Sequence, residues 1–334
     1  MSIALSPPFQ TSPFPLPVPT PADRPLRVLI LGCWGQVGRS LQAVIDHNTT
    51  VIPWDRSQFD LTHLSADPEQ PDTQRLYHAV QALHPDVIIN GAAYTAVDRA
   101  EEEPDLAERI NGTALGPLAH LAQTCGAALI HISTDYVFNG FGHKPYREED
   151  APDPLGVYGR SKLAGEKALV AAGLDRWVIL RTAWVYSEFD RPNFLKTMLR
   201  LGQDREEVRI VADQVGSPTW ARDIAAVIAA LIPRLYQDSS LSGIYHYRNS
   251  GIASWYDFGL AIFQEAAMAG WPLTLQRVTP IATADYPTLA QRPAYSVLDT
   301  SKLCQTLDFT PPHWRQSLRQ AIAQLPPADS APDP

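Results

Sequence analysis

RVLILGCWGQVGRS, residues 27 to 40, decides how the rest of the chain is read. Its first six residues form an apolar run ending in glycine, the pattern of a strand buried on both faces. Gly32, Gly35 and Gly38 follow at GxxGxxG spacing and lead into QVGRSLQAVIDH, which carries the period of a helix. Glycines at a strand-to-helix junction allow a tight turn and a close backbone approach, and the free amides and dipole of the helix N-terminus favour a pyrophosphate there.

Outward from this junction the same alternation repeats. VIPW (51 to 54) reads as a second strand, TQRLYHAVQALH (73 to 84) as a second helix and DVIIN (86 to 90) as a third strand. ALIHIST (128 to 134), a helix over 158 to 171 and WVILRT (177 to 182) continue the series, giving βαβ units around a parallel sheet. Past Arg181 the alternation loses regularity, and GIYHY (243 to 247) stands among turn residues. The expected architecture is an α/β, Rossmann-like, doubly wound parallel sheet over residues 26 to 182. A smaller C-terminal substrate-binding lobe is expected mainly over 183 to 325, interleaved in part with the first domain. Ligands of such folds bind between the lobes, at the carboxyl ends of the strands.

Asp55 ends the second strand about 20 residues beyond the glycines, where an adenine ribose is expected. Its carboxylate suits the 2′-hydroxyl of NADH, whereas Arg56 and Ser57 suit the 2′-phosphate of NADPH, and the choice stays open. Ser133 and Thr134 bring small hydroxyls to the end of the fourth strand, either to bond a substrate carbonyl or to satisfy loop amides. Tyr158 and Lys162 are four apart and share a helix face. A nearby ammonium favours a phenolate and so draws a tyrosine toward acid/base chemistry at neutral pH.

Composition narrows the partners. A formal charge of -9 offers no basic field for nucleic acid or anionic membranes, so a small molecule is expected. Cys33, Cys125 and Cys304 are widely spaced, without the clustering of a disulfide framework or a zinc site, which fits a reducing cytoplasm. No apolar run reaches the roughly 20 residues of a membrane span, and the N-terminus lacks the pattern of a signal peptide. Residues 1 to 25 hold eight of the 30 prolines and read, with the tail from 326 to 334, as disordered.

Several longer phrases occur in one order: GCWGQVG (32 to 38), PDVIINGAAYTAVDRAEEEP (85 to 104), STDYVFNG (133 to 140), YGRSKLAGEKAL (158 to 169), RTAWVY (181 to 186), NFLKTMLRL (193 to 201), DQVGSPT (213 to 219) and RPAYS (292 to 296). Over roughly 26 to 325 the chain resembles the extended short-chain dehydrogenase/reductases and, within them, the dTDP-4-dehydrorhamnose reductase family. The resemblance implies an NADPH- or NADH-dependent oxidoreductase that reduces the C4 ketone of a dTDP-sugar in dTDP-rhamnose synthesis. It implies Tyr158 as proton donor, Lys162 as the group that tunes it and holds the nicotinamide ribose, and Thr134 as the third catalytic residue. Coenzyme contacts are implied for Gly32, Gly35, Gln36, Val37, Gly38, Asp55, Asp60, Leu61, Ala93, Tyr94 and Thr95, besides Tyr158 and Lys162. Sugar-nucleotide contacts are implied for Thr134, Asp135, Trp184, Asn193, Arg292 and Ser296.

The comparison also separates neighbouring activities. Related dehydratases carry an Asp-Glu pair after the active-site threonine, whereas here Asp135 is followed by Tyr136, which serves dehydration poorly. Epimerases share the Tyr-Lys pair and stay open as an alternative. So does a non-catalytic class, since the regulatory subunit of methionine adenosyltransferase looks similar and would bind a stoichiometric enzyme partner. Some family members dimerise through magnesium held by glutamates, at positions matched here by Ser40 and Arg222. Losing two carboxylates leaves a hard cation short of ligands, so no metal site and a monomer or weak homodimer are expected.

Overall fold

The computed structural model describes residues 24 to 46, 48 to 189 and 192 to 325. The tail from 326 to 334 and, apart from Arg24 and Pro25, the proline-rich extension lie outside these residues.

In the first half of the chain, strands β1 (Leu26–Leu31), β2 (Thr49–Trp54), β3 (Val87–Asn90), β4 (Ala128–Thr134) and β5 (Trp177–Thr182) alternate with helices. Helix α1 is Gln36–Val44, α2 Pro71–Gln81 and α6 Val157–Ala171. The stretch between β3 and β4, which sequence periodicity left unassigned, holds α3 (Val97–Glu102), α4 (Pro104–Glu108), a π-helical turn (Arg109–Thr113) and α5 (Leu115–Thr124). The second half contributes β6 (Val185–Tyr186), α7 (Phe194–Asp204), β7 (Glu207–Val211), β8 (Val215–Gly216), β9 (Thr219–Trp220), α8 (Ala221–Gln237), β10 (Gly243–His246), β11 (Ala253–Ser254), α9 (Trp255–Met268), β12 (Arg277–Ile281), α10 (Ser301–Leu307) and α11 (Trp314–Ala323).

Six strands form one parallel sheet in the order β10-β5-β4-β3-β1-β2. The order reverses between β1 and β3, which opens a crevice at their carboxyl ends. Val28, Ile30, Ile89 and Ile130 face a layer that includes α1 and α8, while Leu29, Leu31, Ile88 and Leu129 face α2, α5 and α6. Apolar side chains on both faces explain why these strands read as continuous hydrophobic runs. A separate core joins α7, α9 and α11 around Leu195, Phe258 and Leu318.

Two elements of the second half return to the first layer. The segment 243 to 246, expected in the smaller lobe, is an edge strand of the main sheet and pairs with β5 from Gly243↔Val178 to His246↔Arg181. Helix α8 likewise packs its Ile224, Val227, Ile228 and Leu231 into the core beneath α1. The chain therefore leaves the first layer after β5 and returns to it, because β5 would otherwise present an uncovered edge.

Candidate active site

A cleft of about 1050 Å³ runs across the carboxyl ends of the strands, from the loop after β1 to the starts of α7 and α9. At one end stands the N-terminus of α1, whose N-cap Gly35 offers no side-chain cap and whose first turn holds no acidic residue. Its amides therefore keep a partial positive charge toward the cleft, which fits an anionic diphosphate. Gly32 takes φ +77°, and a Cβ there would come within 2.7 Å of the Ala92 nitrogen, so this turn requires glycine.

Asp55 follows β2 on the same wall. Its Oδ2 accepts from the Trp34 indole at 3.0 Å, and its Oδ1 accepts from the Ser57 backbone at 2.7 Å and hydroxyl at 2.6 Å. The Ser57 bonds hold this carboxyl below the usual aspartate range. Arg56 is drawn to Asp60 at 2.9 Å, and Asp60 in turn accepts from the Thr62 amide at 2.9 Å. The 91 to 95 loop forms the opposite wall. Asn111, buried in the π turn, brackets it by accepting from the Tyr94 amide at 2.9 Å and donating to the Tyr94 carbonyl at 3.0 Å. The same side chain donates to Ser161 of α6 at 3.1 Å.

The reacting groups converge where α6 crosses β4. The helix starts at an amide bonded to Glu101 (Val157 N to Oε1, 2.8 Å), and Gly165 allows it to seat on the Asn111 carbonyl, which a Cβ would overlap. Tyr158 lies in the cleft wall with its ring edge-on to Tyr136 at 5.8 Å. Desolvation pushes its phenol up to about 12, against a hydrogen bond with Thr134 that works the other way. Lys162 is 1% exposed, and its Nζ donates to the Ile132 carbonyl at 2.7 Å and meets His131 Nε2 at 3.1 Å. Burial lowers this lysine to about 8, with Glu166 working the other way.

Desolvation of Tyr158 opposes the shift toward a phenolate expected from Lys162. The ammonium is spent on β4, and desolvation of the phenol prevails. A tyrosine so placed carries its proton at neutral pH, the state that a proton donor needs. Beside it, Thr134 Oγ1 accepts from the Tyr136 amide at 3.1 Å and donates to Asp135 at 3.2 Å. Asp135 is buried and pushed up to about 7 by desolvation, which hydrogen bonds from Ser296 and Thr134 partly offset.

Ser133, the other candidate hydroxyl, also lines the cleft, but its hydroxyl is already engaged. It donates to Glu166 at 2.6 Å, and Glu166 pairs with Arg181 at 2.6 Å, all three side chains buried. On the facing wall Trp184 adopts φ +47° and stacks on Trp255 with centroids 3.5 Å apart. Gly216 permits this, since a Cβ would meet the Trp184 ring at 2.5 Å. Gln36 reaches across from α1: it donates to the Val185 carbonyl at 3.3 Å and accepts from Ser187 at 3.1 Å and Asn193 at 3.0 Å. Asn193 also caps α7 through the Lys196 amide at 3.1 Å.

The structure thus gathers Gly32, Gly35, Gln36, Val37, Asp55, Asp60, Leu61, Ala93, Tyr94, Thr95, Thr134, Asp135, Tyr158, Lys162, Trp184 and Asn193 along one cleft. Three expected site residues stand behind its wall. Gly38 seats α1 against the Gly32 carbonyl, Arg292 is held by Asp98 at 2.7 and 3.0 Å, and Ser296 backs Asp135. Sequence reasoning missed Trp34, Phe59, Phe194 and Trp255 on the wall, and Asn90, Asn111 and His131 behind it. Asn90 and His131 end or lie within apolar runs and were visible as polar intrusions; the aromatics carried no local signal. Among the described residues no three His, Cys, Asp or Glu side chains gather as a metal site, and no helix is long and apolar enough to cross a membrane.

Comparison with known proteins gives a consistent result. Residues 26 to 326 match the family model described as the RmlD substrate binding domain. A dTDP-4-dehydrorhamnose reductase of Escherichia coli strain K12 is 40% identical over 300 residues, covering 90% of this chain and 98% of the relative. Among solved structures, a dTDP-4-dehydrorhamnose reductase from Bacillus anthracis in complex with NADP superposes with a TM-score of 0.79 at 36% identity, covering 90% of this chain and 99% of that one. A further one from Clostridium acetobutylicum gives a TM-score of 0.79 at 37% identity over the same shares.

Proposed function

The chain belongs to the dTDP-4-dehydrorhamnose reductases, oxidoreductases of dTDP-rhamnose biosynthesis, and from that premise we propose that it reduces the C4 ketone of dTDP-4-dehydro-L-rhamnose to dTDP-L-rhamnose, with Tyr158 as the proton donor. The observation that carries this reading is a single cleft with a bare helix N-terminus at one end and Tyr158 beside Thr134 at the other.

The residues present fit NADPH or NADH. Gly32, Gly35, Gln36 and Val37 would hold the diphosphate, Asp55 the adenine ribose, and Asp60, Leu61, Ala93, Tyr94 and Thr95 the walls around the dinucleotide. Lys162 would hold the nicotinamide ribose. When bound, the coenzyme supplies the hydride to C4. As negative charge grows on the C4 oxygen, Tyr158 gives its proton and Thr134 a hydrogen bond, which favours the transition state over the ketone. Asp135, Trp184 and Asn193 face the sugar nucleotide, Ser296 supports Asp135, and Arg292 fixes the wall through Asp98. We read the chain as a metal-free monomer or weak homodimer, because Ser40 is buried and its hydroxyl is bonded to the Gln36 carbonyl at 2.9 Å.

Purified protein given dTDP-4-dehydrorhamnose should consume the reduced-nicotinamide absorbance of NADPH, NADH or both. Tyr158→Phe should lower kcat by roughly 10²- to 10⁴-fold while coenzyme still binds. Absence of consumption with either coenzyme refutes the reading.

A further inference from the structure

Behind the cleft, His131 stands between Lys162 and Asn90. Its Nε2 lies 3.1 Å from Lys162 Nζ, and its Nδ1 lies 3.1 Å from Asn90 Nδ2. Asn90 closes β3, and its Oδ1 accepts from the backbone N–H of Ala92 at 3.1 Å, in the loop that walls the coenzyme half of the cleft. His131 and Asn90 are fully buried and Lys162 is 1% exposed, so no solvent intervenes to satisfy an unmatched donor.

The donors and acceptors in this row cannot all match in every charge state. A lysine ammonium only donates, and a neutral imidazole donates at one nitrogen and accepts at the other. With the Asn90 oxygen taken by Ala92, the Asn90 amide nitrogen faces Nδ1, which must accept; the ring proton then sits on Nε2 and points at Lys162. That arrangement suits an uncharged amine. A charged Lys162 needs Nε2 as its acceptor, so the ring proton moves to Nδ1 and Asn90 must turn its oxygen toward the ring, releasing the Ala92 N–H. A doubly protonated ring is excluded, since burial first and Lys162 second hold His131 well below the ordinary histidine range.

We propose that His131, held by Asn90, is a positioning residue for Lys162 that links the lysine's charge to the Asn90–Ala92 hydrogen bond, so that the protonation of Lys162 and the seat of the coenzyme loop change together. The inference rests on the reductase reading of the site. The other groups facing Lys162 leave this link in place. On α6 this is Glu166, itself bound at 2.6 Å to Arg181 of β5, while Tyr158, one turn earlier, and Asp135, beyond the end of β4, line the same cleft as Lys162. β3 and the π turn bring only the neutral Asn90 and Asn111.

Two substitutions pull the link in opposite directions. Asn90→Asp supplies oxygens for Ala92 and for a ring proton on Nδ1 at once, which favours the ammonium, so the alkaline limb of kcat/KM should move up by about one pH unit. His131→Phe removes the acceptor for the ammonium, so that limb should move down, with kcat/KM for coenzyme about tenfold lower. A purely structural role would not shift the two limbs in opposite directions; limbs that coincide with wild type, or move the same way, overturn the proposal. Should either variant fail to fold, ring ¹⁵N spectra of the intact protein decide it. The His131 proton should pass from Nδ1 to Nε2 as pH rises through the lysine titration, and one unchanging tautomer refutes the link. If the wild-type protein proves inactive with both coenzymes, the reductase reading fails while these spectra still test the row.

Discussion

Replacing Lys162 by methionine tests the electrostatics of the site through folding stability. The ammonium is 1% exposed, and burial brings it from 10.5 to about 8. A depressed folded value means that the unfolded chain binds the proton more tightly over the interval between the two. The lysine's contribution to stability is therefore complete above 10.5 and is lost as pH falls toward 8. A displacement of this size corresponds to about 3 kcal/mol in full, of which about 2 kcal/mol is regained between about pH 7 and pH 9.5. Lys162→Met has similar length and no charge, so it removes the lysine's titration together with its bonds to the Ile132 carbonyl and His131. Tyrosines and other groups cancel in the difference. Urea unfolding of both proteins should show wild type gaining about 2 kcal/mol on the variant between those two pH values. A difference that stays flat to within about 0.5 kcal/mol would show that the ammonium is not desolvated and would refute the reasoning.

Three further outcomes follow from the geometry. Glu166→Ala leaves Arg181 as an uncompensated buried charge and should cost about 3 to 5 kcal/mol, read as a lowered denaturation midpoint. Gly165→Ala sets about 1 kcal/mol of helix propensity against a steric overlap with the Asn111 carbonyl worth about 1 to 3 kcal/mol or more. The overlap should prevail, lowering the midpoint and raising KM for coenzyme, because Asn111 brackets the Tyr94 backbone. Asp55→Asn removes the charge that opposes a 2′-phosphate while keeping an acceptor for the Trp34 indole. The ratio of kcat/KM for NADPH to that for NADH should rise about tenfold, and an unchanged ratio would place the adenine ribose elsewhere.

Sequence alone determined what is local in the chain. The apolar runs at 27 to 32, 128 to 134 and 177 to 182 became strands, because a residue buried on both faces of a parallel sheet leaves a continuous hydrophobic trace. The three glycines marked the turn into α1, and the i, i+4 spacing put Tyr158 and Lys162 on one face of α6. Tertiary structure decided whatever depended on partners far along the chain. His131 lies 31 residues from Lys162 and Asn90 lies 41 residues from His131, so no window of sequence could show that they meet. Ser133 and Thr134 looked interchangeable as hydroxyls, yet opposite faces of β4 send one to Glu166 and the other to Asp135. Strand β10 read as part of a second lobe because edge pairing leaves no periodic signature of its own. The direction of the Tyr158 shift was also beyond the sequence: spacing placed an ammonium nearby, but the depth of burial and the competing acceptors on β4 set the balance between charge and desolvation.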